Sequence, residues 1–275
     1  MTESIHIFDG FPNKDEGMTP ELRHKKRLEL EPLVFDILKR KYGSVLKGIW
    51  DMSPSVKDGD RAFVLVERRI HPNIEFVLQT ARAAGISWRI FVVCSDINLP
   101  WLQETLGDKV ELFPFFKGLA TREVALQEYC SMMTDASFYQ ALPAEHLFFL
   151  QTDSYIRRAI PDSLLQYDLA AAPYLWDETI VGGGTSFRKR SAMIQICNKA
   201  HRITPIEDVF ISAGAKELGF KIPSFDEGIT YIAESCLYED PIAVHQWWTF
   251  FFTTYDDAED IFHSLLTLPE LPLTS

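Results

Sequence analysis

The feature that most limits this chain is an alternation of short apolar runs with helical patterns. Phe63-Val64-Leu65-Val66, Arg89-Ile90-Phe91-Val92-Val93-Cys94 and His146-Leu147-Phe148-Phe149-Leu150 have the length and content of strands buried on both faces. Residues 109–113 read as a further strand. After the first run, Pro72 can open a helix with Ile74, Val77, Leu78 and Ala81 on its apolar face and Gly85 as its stop. Residues 100–106 read as a short helix, and residues 121–142 as a helical region broken near Thr134-Asp135. This β-α-β-α order predicts an α/β fold: a mostly parallel, Rossmann-like central sheet with helices on both faces.

Residues 1–58 have a different character, with dense charge and weak strand signals. Pro32 can open a helix there, carrying Leu33, Val34, Ile37 and Leu38 at helical spacing, with Gly43 as a stop. The expected organisation is an extension over residues 1–58, packed on one main domain over residues 59–275. Asp58-Gly59-Asp60 is the turn between them.

Composition narrows the function. Hydrophobic residues make up 47% and charged residues 24%, the balance of a globular chain. A formal net charge of −12 argues against a nucleic-acid partner, because phosphate backbones call for a basic footprint. It leaves room for a phosphorylated small molecule held by a metal ion and a few local arginines. No run of about 18 apolar residues occurs, so no transmembrane segment is expected. The first seventeen residues have neither a basic start nor an apolar core, so no secretory signal is expected. Cys94, Cys130, Cys197 and Cys236 are widely spaced and read as free thiols of a reducing compartment.

In parallel sheets, ligands bind beyond the carboxyl ends of the strands. Glu67, Arg68, Arg69 and His71 follow the first run, Ser95 and Asp96 the second, and Gln151-Thr152-Asp153-Ser154 the last. Neither GxGxxG nor GxxxxGK[ST] is present, which weighs against a dinucleotide dehydrogenase and a P-loop ATPase. Asp153 reads either as a turn former or as a hard oxygen ligand for a divalent cation. Gly182-Gly183-Gly184 runs into Thr185-Ser186-Phe187-Arg188, which favours close approach of backbone to a ligand over a flexible linker. Glu207 and Asp208 open a helix, where carboxylates serve as dipole partners or as a general base. His245, Trp247 and Trp248 lie together in an aromatic segment. Packing and ligand contact are both open to these residues and to Trp176.

In this order the motifs resemble GT-A-fold glycosyltransferases, and within them a largely uncharacterised glycosyltransferase-like family. The resemblance covers residues 60–250. It is carried by Val66-Glu67-Arg68-Arg69 with His71-Pro72, Gln151-Thr152-Asp153-Ser154, Gly183-Gly184-Thr185-Ser186-Phe187-Arg188, Pro205-Ile206-Glu207-Asp208-Val209 and His245-Gln246-Trp247. It departs from the fold's usual Asp-x-Asp at Gln151, and Ile206 is an extra residue before Glu207. The resemblance implies transfer of a sugar from a nucleotide-sugar donor to a hydroxyl of a glycan, glycolipid or protein acceptor, with inversion. Glu67, Arg68, Arg69, Asp96, Gln151, Thr152, Asp153, Gly183 and Gly184 would meet the donor. Asp153 and His245 would hold Mn²⁺ or Mg²⁺. Asp208 would be the base, with Glu207 beside it, and Trp176, Trp247 and Trp248 would stack on the acceptor. The place of work would be the cytoplasm or the cytoplasmic side of a membrane. A catalytically inactive glycosyltransferase-like binding protein and a nucleotidyltransferase are the competing readings.

Overall fold

A computed structural model describes residues 19–251 and 257–268. The N-terminal stretch read for a secretory signal lies outside them. The first described element is a long helix, α1 (Pro20–Met52). Then follow β1 (Arg61–Val66), α2 (Ile74–Ala84), β2 (Arg89–Ser95), α3 (Leu99–Leu106), β3 (Glu111–Phe116), α4 (Arg122–Met133), α5 (Ala136–Ala141) and β4 (His146–Leu150). The second half holds β5 (Ser154–Ile156), β6 (Leu169–Tyr174), β7 (Asp177–Lys189), α6 (Arg190–Lys199), α7 (Glu207–Glu217), α8 (Phe225–Tyr231), β8 (Ile232–Ala233), β9 (Ala243–His245) and α9 (Ala258–Leu265).

The central sheet has six strands in the order β3-β2-β1-β4-β7-β6. The first four are mutually parallel, and β7 runs antiparallel to both β4 and β6. The expected mixed α/β architecture is therefore present, as one domain. Alternation along each strand divides the core in two. Phe63, Leu65, Ile90, Val92, Phe148 and Leu150 face one layer, with α1, α2 and α9. Ala62, Val64, Phe91, Val93, Leu147 and Phe149 face the other, with α5, α6 and α7.

α1 differs from its sequence reading. It neither begins at Pro32 nor ends at Gly43, but runs through both. Thr19 accepts a hydrogen bond from the Leu22 amide at its start, and the Ser53 amide closes its end on the Ile49 carbonyl. Tertiary packing overrides both breakers. Val34, Phe35, Leu38 and Leu46 are buried, and Phe35 meets Phe76, Tyr155 and Trp248 edge-on at 5.9–6.0 Å. Pro32 is exposed, so its ring meets water, and nothing lies within 4 Å of where a Gly43 side chain would be.

A second, small sheet, β5-β9-β8, lies beyond the end of β4. Ser154 pairs with His245 in its antiparallel β5–β9 register, and the Gln246 amide donates to the Asp153 carbonyl. That register brings Asp153 beside His245, although 92 positions of chain separate them.

Candidate active site at the strand ends

The site begins at the carboxyl ends of β1 and β4, which are neighbours in the sheet. Glu67 is buried and takes the Arg69 guanidinium on both oxygens, at 2.9 and 2.7 Å. Burial alone would raise the Glu67 pKa, but the hydrogen bonds and charge of Arg69 bring it below the ordinary value. Thr152 donates to Glu67 at 3.2 Å, which ties the two strand ends together. The turn after β4 is fixed by Ser154, whose hydroxyl donates to the Gln151 carbonyl and accepts from the Gln151 amide.

Asp153 is 1% exposed. Its Oδ2 meets Nη2 of Arg27 at 2.7 Å, and its Oδ1 meets Nε2 of His245 at 3.3 Å. Burial works against its ionisation, yet Arg27 and His245 hold its pKa far below the usual carboxylate range. The other ring nitrogen of His245 faces Oε2 of Glu234 at 3.1 Å. Burial disfavours charge on this imidazole too, but Glu234 and Asp153 prevail and push its pKa up to about 10.

Two of the glycines of β7 make room for this cluster. A Cβ on Gly184 would lie 2.2 Å from the His245 ring, and one on Gly182 would lie 2.6 Å from Glu234. On the opposite face, a Cβ on Gly183 would lie 2.1 Å from Glu207. The glycines thus sit inside a strand, with side chains of this same chain pressed against them. Gln246, the residue after His245, has φ +32°, a left-handed conformation uncommon outside glycine, and its amide group donates to Glu234.

Glu207 and Asp208 part company at the start of α7. Glu207 is buried and ion-paired to buried Arg188 at 2.6 Å. Burial raises its pKa, with Arg188 opposing and Asp208 adding to the shift. Arg188 is further held by Ser186, the Tyr139 hydroxyl and the Gly183 carbonyl. Asp208 is half-buried and accepts a 2.5 Å hydrogen bond from Tyr174. The Tyr174 ring stacks on Trp176 at 4.6 Å, and Trp176 is 57% exposed. Tyr174 also lies 3.4 Å from the Cβ position of Gly182, where Glu234 comes close. Glu234, His245 and Asp153 thus form one ionic row, and Tyr174 with Asp208 forms a separate hydrogen-bonded pair beside Gly182.

Other expected residues lie elsewhere. Trp247 and Trp248 are fully buried, Trp247 donating to the Tyr155 hydroxyl and Trp248 packing on Phe35, so neither offers a face to a sugar. Their segment reads as amphipathic, but the β5–β9 pairing turns it into the core. The Arg68 guanidinium is committed to Glu128 and to the Lys117 and Gly118 carbonyls, and lies over Phe116. Asp96 accepts from the Gly118 amide at the same place, so both residues serve the end of β3. Gln151 reaches the Tyr129 hydroxyl. Sequence reasoning missed Arg27, Glu31 and Glu234. Arg27 and Glu31 stand one helical turn apart on α1, a spacing common on any solvated helix, and no motif surrounds Glu234.

Among the described residues, no three His, Cys, Asp or Glu side chains converge with metal-ligand spacing. A pair does fit. Asp153 Oδ1 and His245 Nε2 are buried, unmatched by any aligned hydrogen bond, and 3.3 Å apart. Neighbouring ligands on an octahedral cation held at about 2.1 Å are separated by roughly 3 Å. Glu234 stands behind His245 as an orienting carboxylate. A cation there would take its other ligands from substrate and water.

Fold and site together define a mixed α/β domain with a buried ionic cluster at the carboxyl ends of its parallel strands. Residues 119–245 match the model of a family described as a protein of unknown function (DUF5672). The fold is similar to the apo form of the glycosyltransferase GlyE of Streptococcus pneumoniae TIGR4, at 12% identity and a TM-score of 0.45, over 77% of this chain and 65% of that one. A second GlyE structure from the same organism gives 12% identity and a TM-score of 0.43, over 78% and 66%. The chain thus spans just under two thirds of those enzymes' length, and at that identity the likeness says nothing of activity. No curated protein sequence matches.

Proposed function

We propose that this chain is a glycosyltransferase that moves a sugar from a nucleotide-diphosphate sugar to an acceptor hydroxyl, with inversion. The observation that carries this reading is the convergence of Asp153 and His245 at the strand ends, with a further carboxylate, Asp208, held by Tyr174, whose ring lies beside the Gly182 position that Glu234 also approaches. Asp153 and His245 would hold Mn²⁺ or Mg²⁺. Such an ion offsets the charge that builds on a leaving diphosphate. Glu67 and Arg69 close one side of the donor's place. Asp208 takes the proton of the acceptor hydroxyl as it attacks the anomeric carbon, and Tyr174 fixes the carboxylate by its hydrogen bond. The exposed indole of Trp176, stacked on Tyr174, offers an apolar face beside that base for a glycan, glycolipid or protein acceptor. Glu207 takes no part in the chemistry, because Arg188 holds it on the other face of β7.

The test is turnover of a panel of nucleotide sugars with Mn²⁺, followed by the anomeric configuration of the product. Release of nucleoside diphosphate by the wild-type chain, and its loss in Asp153→Asn, are the expected results. Retained configuration contradicts the single-base scheme. Binding of a nucleotide sugar without turnover would instead favour the binding-protein reading, and formation of pyrophosphate from a nucleoside triphosphate and a sugar phosphate the nucleotidyltransferase reading.

A further inference from the structure

The loops after β1, β2 and β4 contain no glycine, so none of them is a glycine-rich phosphate loop. That directs attention to the side chains for anion recognition. The three arginines near these strand ends behave differently. Arg68 is buried, and both its terminal nitrogens are taken by Glu128 and by the Lys117 and Gly118 carbonyls. Arg69 is anchored along one edge by Glu67 while its side chain stays 56% exposed. Arg27, which reaches in from α1, is anchored through Nη2 alone by an aspartate that is 1% exposed, while its own side chain is 37% exposed. A guanidinium has five N–H donors in a planar fork, so one ion pair positions it without using it up. Arg27 meets Asp153 directly, and Arg69 is held by Glu67, which Thr152, the residue before Asp153, ties to the end of β4, so the two guanidiniums are anchored at adjoining strand ends.

From this geometry we propose that Arg27 is a ligand of the donor's diphosphate, pre-positioned by Asp153 and acting opposite Arg69. The inference rests on the glycosyltransferase reading and adds to it a binding residue from a helix outside every motif that suggested that reading. Arg27 meets the phosphate oxygens as a bidentate fork, the usual geometry of arginine with phosphate. α1 is then part of the donor site, and the packing of Phe35 against Phe76, Tyr155 and Trp248 sets the reach of Arg27.

Calorimetric titration of the full chain with UDP, GDP, ADP and CDP in the presence of Mn²⁺ selects the diphosphate that binds. Arg27→Ala is expected to weaken that diphosphate about 10–100-fold, the range for a lost charge-assisted contact. The corresponding monophosphate should be weakened less. Arg27→Lys, which keeps the charge but loses the fork, should fall between. Lys47→Ala, a surface ion pair on the same helix, should bind as wild type does. Thermal unfolding without nucleotide checks that each variant is folded, and Arg27→Lys carries the test if Arg27→Ala is not. Unchanged affinity in the folded Arg27 variants overturns the proposal. Tighter binding also overturns it, because Arg27 would then be shielding Asp153 from the ligand. If the wild-type chain binds none of the four diphosphates, the glycosyltransferase reading falls together with this one.

Discussion

Glu31 illustrates how this site strains single residues. Its carboxyl is pushed up to about 7, first by burial and then by the charge of Asp153, against the pull of Arg27 and Arg69. A carboxyl whose folded pKa exceeds its ordinary 4.5 favours the fold fully at low pH and loses that contribution as pH rises from about 4.5 through 7. Glu31→Gln should therefore raise the unfolding temperature at pH 8 and change it little at pH 4, as thermal scans at the two values would show. The two neighbouring carboxylates of α7 give a second contrast. Asp208→Asn should lower turnover by roughly 10²–10⁴, the span of a general base, with the unfolding temperature nearly unchanged. Glu207→Gln should do the reverse. It leaves buried Arg188 without its counter-charge, and breaking a buried pair costs roughly 3–5 kcal/mol, measurable by denaturant unfolding. Full turnover in Asp208→Asn would remove this residue from the chemistry.

Among the elements, β7 and α1 decide the site. β7 places two ionic clusters on its two faces only because residues 182–184 lack side chains. Gly184→Ala would drive a methyl into the His245 ring and displace it from Asp153. Overpacking of this kind costs about 1–3 kcal/mol. The variant should lose both stability and metal-dependent diphosphate binding, readable by thermal shift with and without UDP or GDP and Mn²⁺. α1 carries its proline at an interior position, where the ring removes a helix hydrogen bond and costs about 3 kcal/mol. Pro32 is exposed, so Pro32→Ala adds no crowding and should raise the unfolding temperature by several degrees, at about 2–4 °C per kcal/mol for a chain of this size. A fall in that temperature would mean that Pro32 is itself needed for the seating of α1.

For the molecule as a whole, α1 belongs to the same apolar layer as the sheet. Val34, Leu38 and Leu46 are fully buried in the apolar cluster that also holds Phe63, Leu65 and Ile90. Placing an unpaired charge there, as in Val34→Asp, should abolish cooperative unfolding of the entire domain rather than loosen the helix alone, which circular dichroism and intrinsic tryptophan fluorescence would show as coincident losses. The −12 charge and the ionic cluster also sit on different scales. The net charge is a property of the surface, whereas Arg27 and Arg69 make a local patch that faces the strand ends. No helix among the described residues is long and apolar enough to cross a membrane.

The sequence alone determined the parallel core, because continuous apolar runs and helix spacing are local signals: β1, β2 and β4 lie where their apolar runs lie. It also singled out Asp153, His245 and the glycine run, each conspicuous beside its neighbours. What it left undecided depended on distance. Whether Trp247 and Trp248 met a ligand or the core turned on the pairing of β5 with β9. Whether Glu207 or Asp208 faced Tyr174 turned on a rotation of about 100° between consecutive helix positions, fixed by Arg188 from the neighbouring strand. Pro32 and Gly43 signal helix ends, and only the burial of Phe35 against three distant aromatics carried α1 through them and brought Arg27 to Asp153. Tertiary structure decided these points because each rests on contacts between residues far apart in the chain, and local propensities of a few kcal/mol yield to such packing.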